Sequence, residues 1–412
     1  MALRPVNVSR EWHSGVENCP KGIFCLGDAV ENLEALLPEY EGKVKVVYMD
    51  PPFMTGDHFY MRVRVGEEQW QKGRGGIALE TFSDQMSRDE YLGLLRRVLE
   101  LCHRLLSDAG MIFVHIDYRA HPHVRLLLDE LFGEDNFLNE IIWVYQTGGR
   151  SVRHFSRKHD VILFYRKTAR YDFNIDAVKA VPAVPRDNHM KRHVDEDGRT
   201  YRSIRVGGRL YTYYDDEPVA PSVVWADLSH LQQKDPERTG YDTQKPLSLL
   251  NRVVNCASRP GEWVLDPFAG SGTTLEAAVK GGRNFIGIDS QPMTANIVRR
   301  RLKDASMELW GREPEGEAPE CQVSVYPGVG FYHVVLERFE AEIPGMKREA
   351  PMDEVDNWSV GYLRGENYEV MESFARTRRT PALQTELRAP VFQGQLALCV
   401  ADVLGRSWYY KL

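Results

Sequence analysis

From Gly22 onward the chain alternates short apolar runs with amphipathic stretches, and this alternation restricts its fold more than any other feature. GIFCLGDA is followed by ENLEALLPEY and then KVKVVYMD, each set off by polar or glycine punctuation. Strand-length apolar runs separated by helical periodicity are β-α-β grammar and build a mainly parallel sheet flanked by helices. The pattern continues through an amphipathic stretch over 88–106, a strand MIFVHID ending at Asp117, a helix VRLLLDELF, and strands EIIWVY and DVILFY. It breaks over 171–240, a span rich in Arg, Asp, Pro, Tyr and Gly with fragments such as RTYRSIRV and RLYTYY, where a partly β insertion is expected. It resumes with a helix over 247–257, the strand EWVLD, a helix over 273–279, the strand NFIGID and a helix through 297–302. From 305 an acidic, Pro/Gly-rich lead-in opens a span with strands such as QVSVYP and FYHVVLERF. The division expected is an N-terminal arm over 1–20, two halves of one α/β domain over 21–170 and 241–304, the insertion over 171–240, and a separate C-terminal accessory module over 305–412.

At 412 residues the chain is too long for one ordinary core. No apolar run reaches the roughly 18 residues that span a bilayer, and Met1 to Gly15 has no hydrophobic segment of signal type, so a cytoplasmic protein without membrane contact is expected. The six cysteines lack the short paired spacing of a zinc clamp and are expected as reduced, mostly buried thiols. His115, His121 and His123 have no matching carboxylate or cysteine spacing, so no metal site is expected and ordinary hydrogen-bonded histidines are. A net charge of -7 argues against a protein that coats nucleic acid, though it says nothing about local patches.

Two motifs sit on strand ends. Asp50-Pro51-Pro52-Phe53 follows the strand Val44 to Met49, and in open α/β sheets ligands bind beyond the carboxyl ends of the strands. Tandem prolines fix two φ angles and remove two donors, which leaves a stiff loop of acceptors. Such a loop suits an exocyclic amino group, whose lone pair is delocalised into a base ring. With the Asp50 carboxylate on one N–H and the Pro51 carbonyl on the other, the nitrogen can become pyramidal and nucleophilic. Phe53 would stack on a base that has left its duplex. Alone, D-P-P also fits a plain strand-ending turn.

The second motif, Val264-Leu265-Asp266-Pro267-Phe268-Ala269-Gly270-Ser271-Gly272-Thr273-Thr274, is a strand running through a glycine turn into a helix. Glycines let a ligand lie against backbone, and the N–H groups of a helix start favour an anionic group. About twenty residues on, Asp289 ends the strand NFIGID, where a carboxylate can hold ribose hydroxyls. A P-loop is disfavoured because no Lys follows Gly272. A nicotinamide site would lack the full G-x-G-x-x-G spacing and leave Asp50 to Phe53 idle. S-adenosyl-L-methionine accounts for both motifs.

These residues resemble the amino-methyltransferases of restriction-modification systems, in the beta class whose catalytic motif precedes its cofactor motif. DPPF at 50–53 resembles the catalytic motif and DPFAGSGTT at 266–274 the cofactor motif, with further matches in GDA at 27–29, MIFVHID, EIIW at 140–143, RHFSRKHDVILFYRK at 153–167 and TQKP at 243–246. The resemblance covers roughly 21–304. It implies a Rossmann-like S-adenosylmethionine-dependent methyltransferase fold in circularly permuted motif order, with 171–240 as target-recognition region. It also implies Asp28 at the cofactor's adenine, Asp289 at its ribose, and Asp266, Phe268, Gly270, Ser271, Gly272, Thr273 and Thr274 around its methionine end, with Lys245 and Pro246 near the carboxylate. Members acting on adenine N6 usually carry Asp first in the tetrapeptide and those acting on cytosine N4 usually Ser, so Asp50 favours adenine. Phe53 stands where Tyr is commoner.

Double-stranded DNA is the expected partner, and the resemblance admits a cognate restriction endonuclease and a homodimer. Arg150, Arg153, Arg157 and Lys158 lie in a basic stretch whose only acid is Asp160, which suggests a phosphate-facing edge. Arg192, Arg199, Arg202 and Arg205 lie among acids and could read base edges. Met54 to Ser83, containing Lys72-Gly73-Arg74-Gly75-Gly76, is expected as a long mobile flap or a disordered loop. The rival readings are a cytosine-N4 enzyme, a non-catalytic DNA-binding subunit and, last, a dehydrogenase.

Overall fold

The computed structural model describes residues 3, 5–53, 58–73, 75–83, 86–145, 151–181, 190–311, 317–346 and 349–412. Eight strands form the central run of a 15-stranded sheet: β1 (Lys21–Leu26), β2 (Val44–Met49), β3 (Leu106–Ile116), β4 (Phe137–Val144), β5 (His159–Arg166), β6 (Trp263–Asp266), β7 (Asn284–Asp289) and β8 (Ser306–Trp310). Their order in space is β8-β1-β7-β6-β2-β3-β5-β4, parallel throughout except for β5. The late strands β6 and β7 are thus inserted between the early strands β1 and β2, as in the permuted methyltransferase fold. Every residue of β2 is buried, Lys45 included, which is why VKVVYM is apolar at all positions but one rather than alternating.

Helices α1 (Ala29–Tyr40), α2 (Arg88–Leu105) and α3 (His121–Phe132) pack their apolar stripes on one face of the sheet, and α4 (Leu247–Ala257), α5 (Thr273–Lys280) and α6 (Met293–Arg301) on the other. Asp28 caps α1 through Oδ1, which accepts from the N–H groups of Val30 and Glu31 at 2.9 and 3.0 Å. Ser87 and Glu90 close a capping box on α2.

The outer parts of the chain correct the expected division. Residues 10–13 are not an arm: they form a strand between β8 and the strand Asn367–Ala375, while Pro5–Val6 pairs with Ser407–Lys411. Nor is the span from 305 separate, because β8 belongs to the central run and strands 355–364, 367–375, 395–402 and 407–411 extend the same sheet. Only 320–327, 331–340 and 386–390 form a sheet of their own. Arg299 of α6 holds Glu11 with two bonds, at 2.9 and 2.7 Å, and Tyr409 donates to the same carboxylate at 2.7 Å. Burial would push the Glu11 carboxyl up, yet Arg299 and His13 hold it well below the usual range.

The expected flap is a packed unit in its described part. Strands His58–Val63 and Ile77–Ser83 pair antiparallel around a short helix, Gly66–Lys72, and Trp70 is buried. Arg62 N–H donates to Gly240 and Gly66 N–H to Asp353, each at 3.1 Å. Residues 54–57 and Arg74 lie outside the described residues. The insertion contains a three-stranded meander over 191–194, 200–206 and 209–214, and Val224–Trp225 joins the main sheet beside β4. Among the described residues no helix is long and apolar enough to cross a membrane.

Candidate active site

The carboxyl ends of β2, β6 and β7 open into one cavity of about 500 Å³, within the range of small-molecule sites. Register explains the convergence. Leu265 is paired with Val47, which sets Asp266 at the end of its strand level with Tyr48, two residues before Asp50, and Asp289 is paired with Leu26, two residues before Asp28. Asp50, Pro51, Pro52, Phe53, Asp28, Lys245, Asp266, Phe268, Gly270, Ser271, Thr273, Thr274 and Asp289 all line this cavity. Pro246 and Gly272 stand behind it, as the residues preceding α4 and α5.

The glycine loop is shaped by its carboxylates. Asp266 accepts from the Phe268 N–H at 3.0 Å and the Thr274 hydroxyl at 2.6 Å, and Asp289 accepts from the Gly270 and Gln291 N–H groups, both at 2.8 Å. Gly270 has φ +50°, and a Cβ there would lie 3.1 Å from the Tyr241 ring. Burial pushes the Asp266 carboxyl up to about 7, with the charges of Asp50 and Asp289 adding to it, and burial pushes Asp289 up to about 6. Arg301, which the sequence did not single out, holds the loop from behind: it donates to the Ser271 carbonyl at 2.8 Å and pairs with Glu276.

Asp50 has two different oxygens. Oδ2 is ion-paired with the Lys245 ammonium, whereas Oδ1 is buried and has no hydrogen-bond partner among the described residues. The same ammonium lies 5.0 Å from the centre of the Phe53 ring. An unpartnered buried carboxylate oxygen is costly, and such an atom beside a cavity is an acceptor held ready for a ligand donor.

Behind Phe53 lies a buried polar chain. Met49 is paired with Val114, so His115 comes level with Asp50 on the neighbouring strand. The His115 ring is 6.0 Å from the Phe53 ring, 2.7 Å through Nδ1 from the Tyr48 hydroxyl and 3.2 Å through Nε2 from Asp160. Tyr145 donates to the other Asp160 oxygen at 3.1 Å. Burial raises the Asp160 carboxyl, but His115, Lys245 and Tyr145 together bring it below the ordinary value. Burial keeps the Tyr48 hydroxyl protonated. With Tyr48 donating to Nδ1, Nε2 carries the proton toward Asp160, which fixes the imidazole as one tautomer. The signal for this chain was a lone histidine near the end of the apolar run MIFVHID.

The described residues among those expected to meet DNA lie outside the cavity. Arg153 and Arg157 are exposed and Lys158 half-buried on the segment leading into β5, and Arg157 stacks 4.4 Å from the Tyr118 ring centre. Arg150 lies outside the described residues. On the meander, Arg199 makes two bonds to Asp216, at 2.9 and 2.7 Å, and Arg202 bonds Asp215 at 3.3 Å. Arg205 is exposed, and Arg192 lies 4.0 Å from Asp215. All six cysteines are free, and no cluster of three or more metal-binding side chains occurs among the described residues.

A cationic donor bearing a nucleoside fits this set: buried carboxylates face its charges and hydroxyls, and a side-chain-free loop lets it lie against backbone. Over 321 residues the chain is 28% identical to Type II methyltransferase M.EcaI of Enterobacter cloacae, covering 67% of each chain. Over 282 residues it is 28% identical to DNA adenine methyltransferase YhdJ of Escherichia coli (strain K12), covering 68% of this chain and 82% of the other. It is also similar to the solved structure of PvuII DNA methyltransferase, described as cytosine-N4-specific, at 14% identity over 72% of this chain and 88% of that one, with a TM-score of 0.46. The DNA methylase family model matches residues 44–300, from the first residue of β2 to the last turn of α6. With both motifs opening into one cavity and well over half of its length matched, the chain belongs to the DNA methylase family.

Proposed function

We propose that the chain methylates the N6 amino group of adenine in double-stranded DNA after extruding the base from its stack. The observation that carries this reading is the asymmetry of Asp50, with one oxygen tied to Lys245 and the other buried, unpartnered and beside the cavity. S-adenosyl-L-methionine supplies an electrophilic methyl group on a sulfonium. Toward it, Asp289 would hold the ribose, Asp28 the adenine edge, and the Asp266 to Thr274 loop with Lys245 and Pro246 the methionine end.

Asp50 Oδ1 accepts one N–H of the target and the Pro51 carbonyl the other, so the nitrogen lone pair turns out of the ring plane. Pro52 keeps both acceptors in place, and Phe53 stacks on the base, backed by His115. The proton leaves only after the nitrogen has become cationic, and Asp50 is the nearest base. No nucleophilic side chain is used. Arg153, Arg157 and Lys158 would grip phosphates. Because Arg192, Arg199 and Arg202 all face acids, Arg205 is the freer to meet DNA from the meander. A cytoplasmic location, a cognate endonuclease and a homodimer belong to the same reading.

Cytosine N4 methylation is the competing reading, since the family includes both chemistries. DNA incubated with the protein and the methyl donor, then digested to nucleosides, should yield N6-methyladenine. N4-methylcytosine in its place would overturn the base assignment, and no methylated base at all would overturn the reading.

A further inference from the structure

Val152 and Phe155 are each 97% exposed, matched among the large apolar side chains of the described residues only by Val329. They stand on the segment 151–158, which runs into β5 at the same sheet edge as Asp50, because Ile116 at the end of β3 is paired with Val161. The turn is braced from within. Ser151 Oγ accepts from the His154 N–H and Ser156 Oγ from the Ser151 N–H, both at 3.3 Å, and the His154 ring meets the Phe155 carbonyl at 3.0 Å. Its flanks are anchored: Arg157 bonds the Tyr118 hydroxyl, and Asp160, at the start of β5, joins the His115 chain that backs Phe53. From Ser151 to His159 there are three cationic side chains, Arg153, Arg157 and Lys158, and no carboxylate.

An apolar tip in a cationic collar, beside a cavity that takes an extruded base, matches one surface: a DNA duplex with a gap in its stack. Phosphates suit the collar, and the gap exposes the flat, apolar faces of the neighbouring bases. We infer that Phe155 is a wedge entering the stack where the target base has left, with Arg153, Arg157 and Lys158 holding the flanking phosphates and Val152 lying beside the ring. This rests on the base-extrusion reading above. The wedge lowers the free energy of the extruded state without touching the reacting atoms, so Phe155 is a positioning residue.

The test uses the full chain and a duplex bearing the site mapped by sequencing DNA from cells that express it. One version is fully paired, and the other has an abasic residue opposite the target, which lowers the cost of extrusion. Phe155→Ala should lose about tenfold or more in kcat/KM on the paired duplex yet stay within about threefold of wild type on the abasic one, while Phe155→Leu keeps most activity on both. Equal losses on the two duplexes would mean a merely structural role, and no loss on the paired duplex would remove the wedge. A wild-type chain that methylates neither duplex would instead remove the proposed function itself.

Discussion

Replacing Asp50 with Asn tests the asymmetry of that carboxylate, because the amide is not free to choose its orientation. The Lys245 ammonium has only donors and stands against Oδ2, so it will select the amide oxygen for that side. The NH2 group is then left where Oδ1 was, buried and facing the cavity, and it meets the target amino group donor to donor. Two losses combine: a hydrogen bond to a charged acceptor, about 1.5–3 kcal/mol, and a buried donor without a partner, about 1–3 kcal/mol. Together they raise the barrier by about 3–6 kcal/mol, which is about 10²- to 10⁴-fold in rate. Adding Lys245→Met releases the amide to turn its oxygen inward, so the double variant should recover about tenfold or more over Asp50→Asn alone. The assay is single-turnover transfer of a tritiated methyl group to DNA at saturating donor, with donor affinity measured separately by calorimetry because Lys245 lines the same cavity. An Asp50→Asn variant within tenfold of wild type, or a double variant slower than the single one, would refute the argument.

The carboxyl groups of Asp266 and Asp289 are raised from an ordinary 3.8 to about 7 and about 6, so the folded chain binds their protons more tightly than the unfolded one. The stabilisation is complete below the ordinary value and fades as pH rises through 6 and 7, so the donor-free protein should lose about 2 kcal/mol from these groups between pH 6 and pH 8. Urea midpoints at the two pH values measure this, and Asp266→Asn should remove most of the slope; an unchanged slope would sink the assignment. Gly270→Ala places a methyl 3.1 Å from Tyr241 on a residue with φ +50°. It should weaken donor binding about tenfold in calorimetry while the fold survives. A Cβ on Gly405 would lie 2.2 Å from the Pro292 carbonyl oxygen at φ +83°. Gly405→Ala should therefore cost about 2–4 kcal/mol in denaturation and also reduce donor affinity through the neighbouring Ser290 and Gln291.

What the sequence made legible was local. The runs at 44–49, 263–266 and 284–289 are mainly apolar without alternation because parallel strands are covered on both faces, and the glycine turn announces itself by residue type. Long-range charge pairing left no such trace. Lys245 was read as a residue for the donor's carboxylate, and its contact with Asp50, 195 positions away, depends on register alone. Arg199 and Arg202 were read as base readers, but the pairing of Tyr201 with Tyr214 brings Asp215 and Asp216 beside them. The strand REWH has no strand-like pattern, since its buried Glu11 is stabilised by Arg299, from the helix expected through 297–302.

The interleaved strand order also has a consequence in time. A chain emerging from the ribosome can pair β2 with β3 early, yet β1 has no permanent neighbour, and β2 only one, until β6, β7 and β8 arrive more than two hundred residues after β2. Strand 10–13 waits longer still, for 367–375, and Pro5–Val6 for 407–411. Nascent chains of this kind expose unpaired edges for most of their synthesis, so their yield should respond to chaperone supply and to translation speed far more than that of a protein whose neighbouring strands are consecutive.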